Sequence, residues 1–176
     1  IDPKHPNFAG EVSGIDLRHA DNAMRAEIEA AMDKYAVLVF HDQPFTDAEQ
    51  LTFSEPFGYL EPSRTAMHPD HKSRFDKRLS DLSNVNFEGK IVPPNDRRWQ
   101  AALGNRLWHS DSSFKATPSK YSMLSARILP SWGGETEFAD LRAAYDALPI
   151  RTKVRVENLV AMHSRAFSRE KIGFDD

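Results

Sequence analysis

The strongest constraint on this chain is a short polar segment set among apolar and aromatic residues and followed by two strand patterns. Residues 104–114 read Gly-Asn-Arg-Leu-Trp-His-Ser-Asp-Ser-Ser-Phe. Residues 121–129 then read as a strand ended by Pro130, Ser131-Trp132-Gly133-Gly134 as a turn, and residues 135–139 as a short returning strand. In extended backbone, residues i and i+2 point to the same side. His109 and Asp111 can therefore converge on one metal ion from a single short piece of chain. His-x-Asp occurs three times, at His19, His68 and His109. Asp21 stands just before a helical pattern and reads as its N-cap. The second copy, His68-Pro69-Asp70, lies in a polar loop stiffened by its proline. Only the third is flanked by apolar residues and followed by strand patterns. Spacing alone leaves two readings of it: a ligand pair, or a capped turn beside a buried histidine.

An imidazole plus a carboxylate makes two of the three groups in the facial triad of non-haem Fe(II) oxygenases. Other metal chemistry is narrowed by composition. With no cysteine there is no disulfide framework, thiolate zinc site or thiol nucleophile, and a reducing cytoplasm is compatible with that. No His-Glu-x-x-His helix motif supports a zinc hydrolase. A net charge of −3 gives no electrostatic case for nucleic acid or an anionic membrane. The longest apolar run, residues 36–40, is far short of a membrane span. No signal-peptide pattern opens the chain. It begins Ile1-Asp2-Pro3 without methionine, so the natural N-terminus is expected to lie further upstream. A chain of 176 residues fits one domain with a sizeable core.

Phe8, Val12, Ile15 and Leu17 suggest one or two short strands near the start. From Asp21, the residues Met24, Ile28, Ala31, Met32 and Tyr35 recur on one face of a helix. Residues 36–40 form a short apolar run that suits a buried strand. Thr46 with Glu49 reads as a capping box, opening a helix through Leu51 and Phe53 that stops near Pro56 and Gly58. Residues 59–78 read as a loop, solvated or carrying cations as a flap over a site. Residues 79–87 suggest a strand and Glu88-Gly89-Lys90 a turn. Asp140 caps a helix bearing Leu141, Ala144, Tyr145 and Leu148, and Pro149 suits the first turn of the next. Residues 160–163 suggest another strand. There are no repeats, low-complexity segments or Gly-rich phosphate loops. Short strands with peripheral helices do not make the regular alternation of a doubly wound sheet.

These residues carry a resemblance. Asn105-x-x-Trp108-His109-x-Asp111-x-Ser113-Phe114, Gly133-Gly134-Glu135-Thr136-x-Phe138-x-Asp140 and Ala143-Ala144-Tyr145-x-Ala147-Leu148-Pro149 together resemble the Fe(II)/2-oxoglutarate-dependent dioxygenases of the taurine dioxygenase type. Within that family the chain is similar to the aryloxyalkanoate group. The resemblance implies a mixed, mainly β fold: a double-stranded β-helix, or jelly roll, with α-helices packed outside. It implies His109 and Asp111 as iron ligands and Thr136 as a hydrogen-bond donor to 2-oxoglutarate, with Asn105 facing the primary substrate. Trp108 is expected to pack under the metal loop, and Ser112 and Ser113 either to orient Asp111 or to satisfy their own loop. The family's second histidine ligand and its 2-oxoglutarate-binding arginine have no counterpart here, and His163 falls too early. Residues 1–176 are thus expected to be one incomplete dioxygenase domain whose C-terminal half lies beyond the chain.

The chemistry implied is oxidative decarboxylation of 2-oxoglutarate by O2 on Fe(II), coupled to hydroxylation of a small anionic substrate. An aryloxyalkanoate such as 2,4-dichlorophenoxyacetate would be cleaved at its ether to a phenol and a 2-oxo acid. A buried substrate carboxylate must be paired. Lys90 is the first candidate for that role, its alternative reading being an exposed turn lysine after Gly89, and Lys72 and Arg97 follow. Three alternatives stand beside this reading: a taurine-like sulfonate or alkyl sulfate substrate, a non-catalytic β-sandwich binding module, and a Zn(II) hydrolase. Trp132 and Phe138 read as core residues or as part of a subunit contact in a homo-oligomer.

Overall fold

The structure is a computed structural model that describes residues 1–63, 72–96, 103–171 and 173. His68, Asp70 and Arg97 lie outside the described residues. The chain divides into two compact units, Ile1–Phe57 with Ser125–Leu159, and Gly58–Leu124 with Val160–Asp176.

The first unit is built on a three-stranded sheet of β1 (Asp2–Pro3), β2 (Gly10–Val12) and β3 (Leu38–Phe40), in that order. β1 and β2 run antiparallel, while β2 and β3 are parallel with Gly10 opposite Leu38 and Val12 opposite Phe40. A parallel pair needs a crossover, and α1 (Asn22–Tyr35) supplies it. Gly10 sits at a close join, where a Cβ would stand 2.7 Å from Ile1 Cγ2 and 3.3 Å from the Tyr35 ring. The Asp21 carboxylate accepts from the Met24 amide at 2.8 Å, so Asp21 is the N-cap its position promised. The face from Met24 to Tyr35 turns inward, with Ala31 buried and its apolar neighbours half-buried. The helix ends on Ala36, whose left-handed φ of 59° is carried by a non-glycine residue.

α2 (Asp47–Ser54) opens with both bonds of the Thr46–Glu49 capping box, and a 3-10 turn, Glu55–Phe57, ends it. Phe45, Leu51, Leu17 and Ala20 are buried, and the Phe53 ring meets those of Phe45 and Phe57 at tilted angles, with centroids 5.5 and 5.3 Å away. Two arginines tie the later part of this unit to the earlier part. Arg127 donates to the Phe45 carbonyl and Gln50 Oε1, and pairs with Asp47 at 3.2 Å. Arg142 donates to the carbonyls of Asp33 and Lys34, satisfying acceptors that the end of α1 leaves open. Arg142 belongs to α3 (Leu141–Asp146), which Asp140 caps, and α4 (Ile150–Val156) comes next with Pro149 at its N-cap position.

The second unit holds a small hairpin. Val85 bridges Ile91, and the Asn86 side chain accepts from the amides of Glu88 and Lys90 at 2.9 Å each, with Gly89 at φ 79°. Val92, whose amide bonds the Asn84 carbonyl at 2.8 Å, is buried. A 3-10 turn, Leu103–Arg106, leads into the segment that carries His109 and Asp111, and α5 (Arg165–Glu170) follows later in this unit.

The structure corrects several expectations. Residues 121–129, 135–139 and 160–163 form no strand among the described residues. Residues 79–87 contribute a single bridge rather than a strand. Trp132 and Phe138 are not core: they are 87% and 54% exposed. The reason is the same in each case. An apolar run states what a segment can bury, but a strand also needs a neighbouring strand for its amides and carbonyls. Among the described residues no strand lies alongside these runs. The jelly roll is therefore not laid out in the short sheet seen here.

Candidate metal centre

The 3-10 turn at Leu103–Arg106 delivers the chain to the centre. The Leu107 amide bonds the Gly104 carbonyl at 3.2 Å, and His109 Nδ1 lies 2.7 Å from the Leu107 carbonyl. A carbonyl oxygen only accepts, so Nδ1 must carry the proton and donate it. That leaves Nε2 as the nitrogen facing outward, which is the arrangement a metal-ligating histidine takes from a backbone acceptor. Nε2 stands 3.3 Å from Asp111 Oδ1. The i, i+2 spacing has put both groups on one side.

This pair fits a divalent cation. With Nδ1 protonated, a neutral imidazole turns a lone pair on Nε2 toward the lone pairs of a carboxylate. That approach is repulsive unless a cation lies between or beside them. A second proton on the ring would serve, giving an imidazolium–carboxylate pair; so would a metal ion. Two donors each ~2.1 Å from one divalent ion and at a right angle are ~3 Å apart. The observed separation of 3.3 Å suits that edge of a coordination sphere. Both side chains are about half exposed, at 48% and 58%, so an ion could enter. Among the described residues no third His, Asp or Glu completes the group. His163 instead places Nδ1 at 2.8 Å from Ser113 Oγ.

The residues around Asp111 differ from expectation. Ser112 and Ser113 do not orient it. Ser112 donates to Glu61 at 3.4 Å and accepts from Ser119 at 3.0 Å, and Ser113 meets His163. The reason is local backbone: Ser112 has a left-handed φ of 56° that turns the chain just after Asp111. The hydroxyl that reaches Asp111 belongs to Ser122, which donates to Oδ2 at 2.6 Å. Glu61 anchors the same loop by pairing with Lys115. The Lys115 ammonium, through its hydrogen bond first, holds the Glu61 carboxyl below the usual carboxylate range. Neither Ser122 nor Glu61 stood out in the sequence, for each is distant along the chain and part of no local motif.

The other sequence candidates have surroundings of their own. Asn105 sits exposed within the 3-10 turn that leads to His109. Lys90 is an exposed lysine of the Asn86–Lys90 turn, paired with Glu88 at 2.8 Å, and makes no described contact with His109 or Asp111. Lys72 lies over the Phe87 ring at 5.0 Å. Trp108 does not pack under the metal loop, since it is 69% exposed. Thr136 belongs to the first unit and is exposed in the segment after Gly133 and Gly134. Those glycines adopt φ of 71° and 81°, which a side chain would oppose, and a Cβ on Gly134 would press on Pro130 at 3.3 Å.

Comparisons with known proteins bear on this arrangement. The family described as "Taurine catabolism dioxygenase TauD, TfdA family" matches residues 1–175. The chain is 44% identical over 176 residues to the alpha-ketoglutarate-dependent 2,4-dichlorophenoxyacetate dioxygenase of Cupriavidus pinatubonensis, covering 99% of this chain and 61% of that protein. It is 38% identical to the (S)-phenoxypropionate/alpha-ketoglutarate-dioxygenase of Sphingobium herbicidovorans, covering 98% of this chain and 56% of that one. Among solved structures, AAD-2 in complex with Mn(II) and N-oxalylglycine superposes with a TM-score of 0.88 at 46% identity, over 99% of this chain and 60% of AAD-2. The chain spans about three fifths of the length of the 2,4-dichlorophenoxyacetate dioxygenases it matches.

Proposed function

The chain belongs to the TauD/TfdA family of dioxygenases, and from that premise we propose that the protein is an Fe(II)- and 2-oxoglutarate-dependent oxygenase that hydroxylates a small anionic aryloxyalkanoate. The observation that carries the reading is the convergence of His109 Nε2 and Asp111 Oδ1 at 3.3 Å, with Nδ1 committed to a backbone carbonyl. The aryloxyalkanoate class rests on the named activities of the relatives at 44% and 38% identity. The fold similarity to AAD-2 supports a jelly-roll core for the whole protein. The second histidine and the 2-oxoglutarate-binding arginine would come from the part of the relatives' length that this chain does not span. No helix among the described residues is long and apolar enough to cross a membrane.

When bound, iron supplies the oxidative chemistry: decarboxylation of 2-oxoglutarate to succinate and CO2, with one oxygen atom of O2 entering succinate and the other the substrate. The residues of this chain supply position. His109 presents Nε2 in one tautomer because Leu107 holds the proton on Nδ1. Asp111 presents Oδ1 because Ser122 engages Oδ2. Thr136 would donate its hydroxyl to a carboxylate of 2-oxoglutarate, and Asn105 would face the substrate from the turn before the metal segment. Lys90 would pair with the substrate carboxylate. Its present bond to Glu88 is an exposed ion pair of ~0–1 kcal/mol, which a better partner can displace. Hydroxylation of an aryloxyacetate beside the ether oxygen gives a hemiacetal, which collapses to a phenol and glyoxylate.

The test uses protein of the relatives' full length, without oxygen, with Fe(II) and 2-oxoglutarate added. A weak visible charge-transfer band should appear in the native protein and be absent in His109→Ala. A folded native protein with no band would overturn the oxygenase reading and favour a binding module. Turnover on a panel of aryloxyacetates, taurine and alkyl sulfates then decides the substrate class.

A further inference from the structure

The two oxygens of Asp111 have different partners. Oδ1 faces His109 Nε2 at 3.3 Å, and Oδ2 accepts the Ser122 hydroxyl at 2.6 Å. A hydroxyl–carboxylate bond of that length is charge-assisted and about twice as strong as a neutral one. The hydroxyls next to Asp111 in sequence are engaged elsewhere, Ser112 with Glu61 and Ser119, and Ser113 with His163. Ser122 thus acts on Asp111 from 11 residues further along the chain.

We propose that Ser122 is a positioning residue that makes Asp111 a one-oxygen ligand. This deepens the reading of the His109–Asp111 pair and rests on it. An Asp carboxylate can give a cation one oxygen or both. A second oxygen would take one of the positions that a three-ligand face must leave open. The Ser122 hydroxyl draws Oδ2 away from the side on which Oδ1 and Nε2 converge. It fixes the rotation of the carboxylate about its Cβ–Cγ bond. The remaining positions then stay free for a chelating keto acid and a further small ligand. Ser122 acts through its bond to Asp111.

The experiment compares the full-length native protein with Ser122→Ala, Ser122→Thr and Asp111→Ala. Mn(II) alone is titrated first, following free Mn(II) by electron paramagnetic resonance. 2-Oxoglutarate is then titrated into the Fe(II) protein without oxygen, following the charge-transfer band. Ser122→Ala is expected to keep Mn(II) affinity within a few-fold while weakening 2-oxoglutarate binding about 10-fold or more and shifting the band. Ser122→Thr, which retains the hydroxyl, restores both. Melting of the metal-free variants separates these effects from loss of fold. Unchanged 2-oxoglutarate affinity and an unshifted band in Ser122→Ala overturn the proposal. So does loss of Mn(II) as complete as in Asp111→Ala, which would make Ser122 necessary for ligation itself. If Asp111→Ala binds metal like the native protein, it is the metal-centre reading that fails.

Discussion

His109 and Asp111 were legible because the i, i+2 relation belongs to the backbone and needs no knowledge of the rest of the fold. What the sequence did not reveal was the tautomer, the assignment of Oδ1 and Oδ2, or the serine responsible. These depend on the Leu107 carbonyl and on Ser122. Thr136 is the residue whose role rests most on resemblance. Its segment is shaped by Gly133 and Gly134, each in a conformation that favours glycine. On the proposed function, Thr136→Ala should raise the KM for 2-oxoglutarate about 10-fold, in keeping with the loss of one hydrogen bond to a charged group. Substrate KM should change little, and Thr136→Ser should recover most of the loss. Steady-state kinetics with each co-substrate varied in turn checks this, and an unchanged KM removes Thr136 from the site.

The starts of α1, α2 and α3 were legible, since each is decided by one side chain reaching an amide two or three residues ahead. Asp21 to Met24, Thr46 to Glu49 and Asp140 to Arg142 are all seen. Asp140 also does something the sequence did not suggest. It holds Arg142, whose guanidinium then covers the last carbonyls of α1. The Arg142 hydrogen bond, ahead of the opposing effect of burial, keeps the Asp140 carboxyl below the usual carboxylate range. A carboxylate lowered in the folded state stabilises fully above its unfolded value. That contribution is lost as pH falls through the lowered folded value. Asp140→Asn can still cap α3 but cannot pair with Arg142. The native protein should therefore melt higher than Asp140→Asn at neutral pH, and the gap should close in acid. Thermal melts across a pH series check this, and a gap that stays constant with pH would show that the charge is not involved.

For the whole molecule, the apolar runs of residues 121–139 mark the boundary of what could be foreseen. Ile128 is 93% exposed and Trp132 is 87% exposed. On the proposed function, chain of the relatives' full length would pair these runs and cover them. Acrylamide should then quench Trp132 emission strongly in the 176-residue chain and weakly in the longer one, with Trp132→Phe identifying its share. Equal quenching in both would make Trp132 a surface residue of the complete protein. By itself, the sequence determined the starts of α1, α2 and α3, the turns at Gly89 and Gly133-Gly134, and the histidine and aspartate that face one side. All of these are decided within a few residues, where backbone geometry fixes which groups can meet. Only the tertiary structure decided that β2 and β3 are parallel, that Glu61 holds Lys115, that Arg142 caps α1 and that Ser122 holds Asp111. Those pairings join residues from 11 to 109 positions apart. Closing such loops costs an entropy that depends on length but hardly on which residues end the loop. Local pattern therefore cannot choose among partners, and packing does.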